Sequence, residues 1–345
     1  MAWRAANLTT AARAGALAAS LQQEVLLLRR FLLGFAAVLV AAPIAMPKAH
    51  AADQKLTVLL DWFVNPDHAT ILSAEYSGAF KRHGLDVKII APADPSLPPR
   101  QIAAGQADLA LTYQPQLYLM ADQGLPVVRV GTVINKPLNV LATISDSGIK
   151  TMKDFKGKKI GFSVAGLDDS VVDTMLEYAG VSPKDVTLVN VNFALVTALT
   201  SHQVDGVIGA YRNFEVNELK GMGKTPVTFT PEDYGVPPDD ELVFIANKKE
   251  AHDPKITAFL EALQEGTTYL EAHPDEMWAA FIKQHPDLNN KLNKTAWYQT
   301  LSYFAKNPFT LDQKRYTDYE KFMYDHKLIK TQPPLSDYAI ELKAS

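Results

Sequence analysis

The stretch KLTVLLDWFVNPDHATILSAEYSGAFKRHGLDVKII, residues 55–90, carries the fold in miniature. Lys55–Leu60 is a short apolar run rich in β-branched residues, suited to a strand buried on both faces. A polar turn containing Pro66 follows. Ala69–His83 then has the apolar spacing of a helix, and Gly84 supplies its stop. Leu85–Ile90 reads as the next strand. Outward from there, Pro98–Ala104 is helical, and Gly105 and Asp108 lead into a strand at Leu109–Leu111. Val127–Ile134 and Asn139–Ile144 continue the series. Strand and helix in alternation predict an α/β protein with a parallel sheet.

A second unit of the same kind starts near Lys150. It offers strands ending at Ser163, at Val186–Val191 and at Gly206–Ile208, with helices at Asp168–Ala179 and Val196–His202 between them. Glu241–Ala246 is an apolar strand able to lead back to the first unit. The remainder is helical, opening with Asp253 as N-cap and Pro254 at the first helical position. One internal echo joins the two units: QADLALTY at 106–113 and QVDGVIGAY at 203–211 each give a Q-x-D turn, a short buried strand and a polar or aromatic end. That end is the carboxyl edge of a strand, where open α/β sheets bind ligands.

The flanking chain bounds the function. Arg29-Arg30, an apolar run at Phe31–Ala42 and Ala49-His50-Ala51 follow the order of a cleavable export signal, 1–51. The apolar run is about a dozen residues, short of the roughly 20 a membrane span needs. The segment ahead of Arg29 is long for a signal, which points to a start near Val25 and sets residues 1–24 apart. Among 345 residues there are 34 basic and 38 acidic side chains, a net charge of −4. The leader's five basic residues and one acid give it +4, leaving −8 on the chain from Ala52. An acidic exported globule gives no support for nucleic-acid binding. The complete absence of cysteine excludes disulfides, thiolate metal sites, a cysteine nucleophile and a lipidated cysteine anchor.

The usual motifs of catalysis and nucleotide binding are missing too, and the eight histidines lack metal-ligand spacing. What remains is polar and aromatic residues at strand ends. Asp61 and Trp62 follow the first strand, with His68 nearby as either a ligand contact or a structural residue. Ser163–Gly166 is either a loop offering backbone N–H groups and a hydroxyl to an acceptor or a plain turn. Tyr211, Asn213 and Glu215 alternate along the chain and would point together if it stays extended; the alternative is a solvated helix start. Stacking rings, an amide and a carboxylate suit a flat heterocycle bearing an amine. With Arg212 the only nearby cation, an oxyanion is a poorer match.

LLDWFVNPDHATI, GQADLALTYQPQ, KDFKGKKIGFSVAG and DGVIGAYRNFEVNEL resemble the substrate-binding proteins that capture thiamine pyrimidine precursors, a family shared with the thiamine pyrimidine synthases. The resemblance runs from about Lys55 to about His326. It implies a two-lobed periplasmic-binding-protein-like α/β fold with a cleft between lobes. It also implies an aminopyrimidine ligand, no cofactor, and the permease and ATPase subunits of an ABC importer as partners, with the protein a periplasmic monomer. Trp62, Tyr113, Tyr211 and Glu215 would line the pyrimidine site, with Thr112 and Gln114, the neighbours of Tyr113, as further ligand-binding candidates. The synthases would instead need a cofactor lysine where Thr112 stands, a donated histidine where Gln116 stands, and a cysteine-rich iron motif. A binding protein for a sulfonate, a nitrate or a flavin precursor is the third reading. Expected lobes are 52–143 with 248–345, and 144–247, hinged near Leu141–Ile144 and Phe244–Asn247.

Overall fold

The computed structural model describes residues 53–344, so the export signal expected over 1–51 lies outside the described residues. In the first half of the chain, β1 (Gln54–Leu59) pairs in parallel with β2 (Leu85–Ile90) and with β3 (Leu109–Thr112). After β4 (Val127–Ile134) the chain leaves this sheet. It enters a second sheet at β5 (Asn139–Ile144) and builds it with β6 (Lys159–Phe162), β7 (Thr187–Asn190), β8 (Gly206–Tyr211) and β9 (Pro226–Phe229). It then returns to the first sheet as β10 (Leu242–Asn247). Strand orders are β2-β1-β3-β10-β4 and β7-β6-β8-β5-β9. The two sheets are the two lobes.

Two expectations change here. The sheets are mixed, not parallel: β10 runs antiparallel to β3 and β4, and β5 antiparallel to β8 and β9. Each crossing strand arrives from the other lobe at the edge where the parallel strands end, so it can only run back against them. For the same reason boundaries at 143 and 247 differ from the sheets. β5 belongs wholly to the second sheet and β10 wholly to the first, and the crossings fall at 135–138 and 230–241.

The echo between the lobes has a structural counterpart. β3 and β8 hold the same third position in their sheets. The Asp108 carboxylate accepts the Thr57 N–H at 2.6 Å while its own N–H donates to the Thr57 carbonyl at 3.1 Å. Asp205 repeats both bonds with Lys159, at 2.9 and 2.8 Å. The Q-x-D turn therefore fixes the start of each parallel pairing, and with it the register that brings the strand ends to the cleft.

Helices cover the sheets. The first lobe carries α1 (Ala69–Tyr76), α2 (Ala79–Arg82), α3 (Pro98–Ala103) and α4 (Gln114–Asp122). The single helix expected over 69–83 is broken at Gly78, which sits at φ 77°. The second lobe has α5 (Leu167–Tyr178), α6 (Leu195–Thr200) and α7 (Glu215–Gly221). The C-terminal helices are α8 (Pro254–Ala272), α9 (Pro274–Gln284), α10 (Lys291–Thr300) and α11 (Gln313–Asp325). Asp253 caps α8 as expected, accepting the Lys255 N–H at 3.0 Å. No helix among the described residues is long and apolar enough to cross a membrane.

α8 lies across α1 at very short range. A Cβ on Gly266 would stand 2.6 Å from the Ala74 backbone. Gly266→Ala must push two packed helices apart, and we expect a cost of about 1–3 kcal/mol. Thermal unfolding would show it as a lowered Tm, and an unchanged Tm would mean that the helices separate freely.

Candidate functional site

Between the sheets lies a cleft of about 540 Å³, its mouth included, walled by strand ends from both lobes. From the first lobe come Asp61 and Trp62 after β1, Asn65 and Asp67 in the following loop, and Tyr113 after β3. From the second come Ser163 and Val164 after β6, Leu167 and Asp168 at the start of α5, and Gly209 and Tyr211 in β8. Phe214 and Glu215 open α7, while Asn139 and Glu241 stand where the two crossings enter their sheets.

Six of the ten residues read from the sequence meet at this wall: Asp61, Trp62, Tyr113, Ser163, Tyr211 and Glu215. The other four lie behind it. His68 is fully buried and holds Asp61 from the rear, Nε2 to Oδ1 at 3.0 Å. Its Nδ1 faces the Asn65 N–H at 3.3 Å and must accept, so Nε2 carries the proton and donates. Thr112 is buried and gives its hydroxyl to Gln116. Gln114 opens α4 facing away from the cleft, where its amide bonds the Tyr118 hydroxyl at 2.7 Å and the Asp240 N–H at 2.8 Å.

Asn213 departs from expectation because the chain does not stay extended. β8 ends at Tyr211 and the backbone turns into α7 through Phe214, at φ −117° and ψ −79°. The side chain of Asn213 therefore donates to Asp67 at 2.5 Å and to Thr300 on α10 at 2.7 Å. Asn217 likewise donates to Gln299 at 2.7 Å. These bonds tie the second lobe to the first beside the cleft. Tyr211 and Glu215 remain on the wall, joined by the Tyr211 N–H to the Glu215 carboxylate at 2.8 Å.

The remaining wall residues carried weak signals in the sequence. Asn65 and Asp67 stand within residues 61–68, between the Asp61-Trp62 pair and His68. Asn139 and Glu241 are each the polar residue that leads an otherwise apolar strand. That placement marks a strand beginning at the cleft, a direction that strand composition does not reveal.

Burial dominates the electrostatics. It raises Glu215 from 4.5 to about 8, even though two backbone N–H groups oppose the shift. It raises Glu241 to about 7, against the Leu138 and Asn139 N–H groups that this carboxylate accepts. Asp67 rises to about 6 by burial, with the Asn213 bond pulling the other way. Tyr113 and Tyr211 stay protonated, first through burial and then through the acids around them. No Lys, Arg or His is among the lining residues. Arg212 is turned to the second crossing, with Nη2 2.7 Å from both Glu232 oxygens. The cleft therefore offers ring faces, hydrogen-bond acceptors and protonated carboxyl groups, and no cation for an anionic ligand.

Residues 65–277 match the model of the family described as NMT1/THI5 like. The chain belongs to the NMT1/THI5-like family. A Haemophilus influenzae relative named for thiamine biosynthesis is 49% identical over 293 residues, 85% of this chain and 93% of that protein. The formylaminopyrimidine-binding protein of Halalkalibacterium halodurans is 33% identical over 251 residues, 72% of this chain and 76% of its own. More distantly, the 4-amino-5-hydroxymethyl-2-methylpyrimidine phosphate synthase of Legionella pneumophila is 25% identical, across 79% of this chain and 88% of that protein. Among solved structures, the alkanesulfonate-binding protein of Xanthomonas axonopodis pv. citri superposes with a TM-score of 0.66 at 15% identity, over 84% of this chain and 99% of that chain. The last likeness concerns the fold, which this NMT1/THI5-like chain shares with periplasmic binding proteins.

Proposed function

We propose that the protein is an exported receptor that captures an aminopyrimidine precursor of thiamine and delivers it to the permease and ATPase subunits of an ABC importer. One observation carries this reading: an interlobe cleft walled by Trp62, Tyr113, Tyr211 and Phe214 with carboxyl groups between them and no cation. Rings sandwich a flat heterocycle, and carboxyl groups accept from its amine. Glu215, held near 8, is also able to donate a proton to a ring nitrogen at neutral pH. The formylaminopyrimidine-binding relative supports the ligand class. The charge order of residues 29–51 supports the periplasm as the place of work.

The synthase reading fits the residues poorly. Pyridoxal phosphate needs a lysine for its Schiff base and donors for its phosphate, and the cleft wall has neither lysine nor arginine. Thr112 and Gln116, at the positions a synthase would use, bond to each other instead.

A thermal-shift panel of aminopyrimidines, methanesulfonate, nitrate, and pyridoxal phosphate with ferrous iron tests the proposal. A pyrimidine at 100 times its Kd should add about 2.7 kcal/mol. A response to an oxyanion alone would overturn the proposal, and pyrimidine product formed from pyridoxal phosphate would restore the enzyme.

Glu215 also predicts a pH dependence. Its folded value of about 8 exceeds the ordinary 4.5, so between these limits the folded protein holds a proton that the unfolded chain has released. Stability of the ligand-free protein should therefore fall as pH rises from about 5 to 8, by up to about 1.4 kcal/mol per pH unit for one proton. Glu215→Gln should lessen that slope in denaturant titrations, most of all near pH 8, while Asp67 and Glu241 keep the remainder; an equal slope in the variant would place the titration elsewhere.

A further inference from the structure

The loop after β6 has the form of an anion receptor, and its anion is built in. The Ser163 and Val164 N–H groups both donate to one oxygen of the Asp168 carboxylate, at 2.9 and 2.8 Å. Asp168 is the second residue of α5, is buried, and its side chain folds back over the start of its own helix. Gly209 of β8 closes the other side: a Cβ there would stand 3.1 and 3.3 Å from the two carboxylate oxygens. The Ser163 hydroxyl is given to the Asn192 carbonyl. A loop that offers two amides and a hydroxyl in the sequence thus has all three engaged, two of them by a carboxylate on the cleft wall.

We propose that Asp168 is the specificity-determining residue that refuses oxyanions. Paired backbone amides at the start of a helix are what a sulfonate, nitrate or phosphate-ester oxygen would seek. Asp168 holds those amides within the same chain and sets a negative charge where the ligand would bring its own. Selectivity then comes from a repulsive element as well as from the attractive ring faces. Ligands that bring ring faces and amine donors are accepted, and phosphorylated forms of the same ring are turned away. The inference rests on the cleft being the ligand site, and it concerns what that site rejects.

Calorimetric titration of the purified full chain with methanesulfonate, with nitrate, and separately with an aminopyrimidine tests it. Asp168→Ala empties the amides. Asp168→Asn keeps a side-chain oxygen on them, and so the helix start, while removing the charge. We expect no methanesulfonate binding by the natural protein, and an affinity at least about tenfold above its detection limit in Asp168→Ala, with a smaller gain in Asp168→Asn. No gain in either folded variant would overturn the proposal. So would methanesulfonate binding by the natural protein, whatever the variants do. A natural protein that ignores the pyrimidine would instead sink the capture reading, leaving the anion gain as the separate readout for Asp168.

Discussion

Trp62→Ala should weaken binding of the proposed pyrimidine ligand by at least about 100-fold. Trp62 follows β1 in the first lobe, yet its ring packs among second-lobe side chains, including Val140, Val191 and Leu195. It meets Phe193 edge-on, with centroids 4.6 Å apart at 75°, and lies 5.5 Å from Phe63. The same residue lines the cleft, so one side chain is both part of the cleft wall and a contact between lobes. Truncating a packed Trp costs about 3–5 kcal/mol. In a receptor that closes on its ligand, as proposed, this contact would be charged to binding, and at about 1.4 kcal/mol per decade that amounts to two decades or more in Kd. On that reading the ligand-free variant, with its lobes apart, should unfold near the natural Tm. Trp62→Phe keeps a ring face and should stay within about tenfold. Calorimetry giving Trp62→Ala a Kd within threefold of the natural one would show that the ring neither stacks nor latches.

Strand ends were legible in the sequence, whereas the direction of the side chains beyond them was not. KLTVLL, LDVKII and the two Q-x-D strands mark themselves by short apolar runs bounded by turns; Asp61, Trp62 and Tyr113 lie just beyond such strands and Tyr211 is the last residue of one. A strand's carboxyl end fixes the position of the next residue or two, and those four reach the cleft. Past that point the turn decides. Asn213 has the right spacing from Tyr211 for a shared face, but the turn into α7 sends it toward Asp67. Gln114 is one residue beyond Tyr113, and the start of α4 turns it toward Tyr118. The antiparallel crossings were hidden for a different reason. β5 and β10 have the composition of any doubly buried strand, and their direction is set by the lobe from which the chain arrives. The short β9, PVTF, has only four residues, opens on a proline and buries Phe229 alone, so little in it reveals a strand.

Asp61 is where stability and binding should separate most clearly. Its carboxylate is buried and accepts twice, from the His68 Nε2–H and from the Tyr113 hydroxyl, each at 3.0 Å. Asp61→Ala leaves both donors in a low-dielectric wall without a protein acceptor. His68 has no alternative tautomer to offer, since the Asn65 N–H already occupies Nδ1. With a buried unpaired donor costing about 1–3 kcal/mol, the pair should cost about 2–4 kcal/mol once cleft water relieves Tyr113 in part. In a chain of this size that lowers Tm by roughly 5–15 °C. Asp61→Asn behaves differently. Its carbonyl accepts from His68, and its amide donates to the Tyr113 oxygen once that hydroxyl rotates. The fold should then hold within about 1 kcal/mol, while the carboxylate that Asp61 adds to the wall is gone and affinity for an amine-bearing ring falls by about tenfold or more. Differential scanning calorimetry and titration on the same preparations separate the two effects. Equal losses of Tm in Asp61→Ala and Asp61→Asn would mean that charge, rather than the paired donors, holds this wall together.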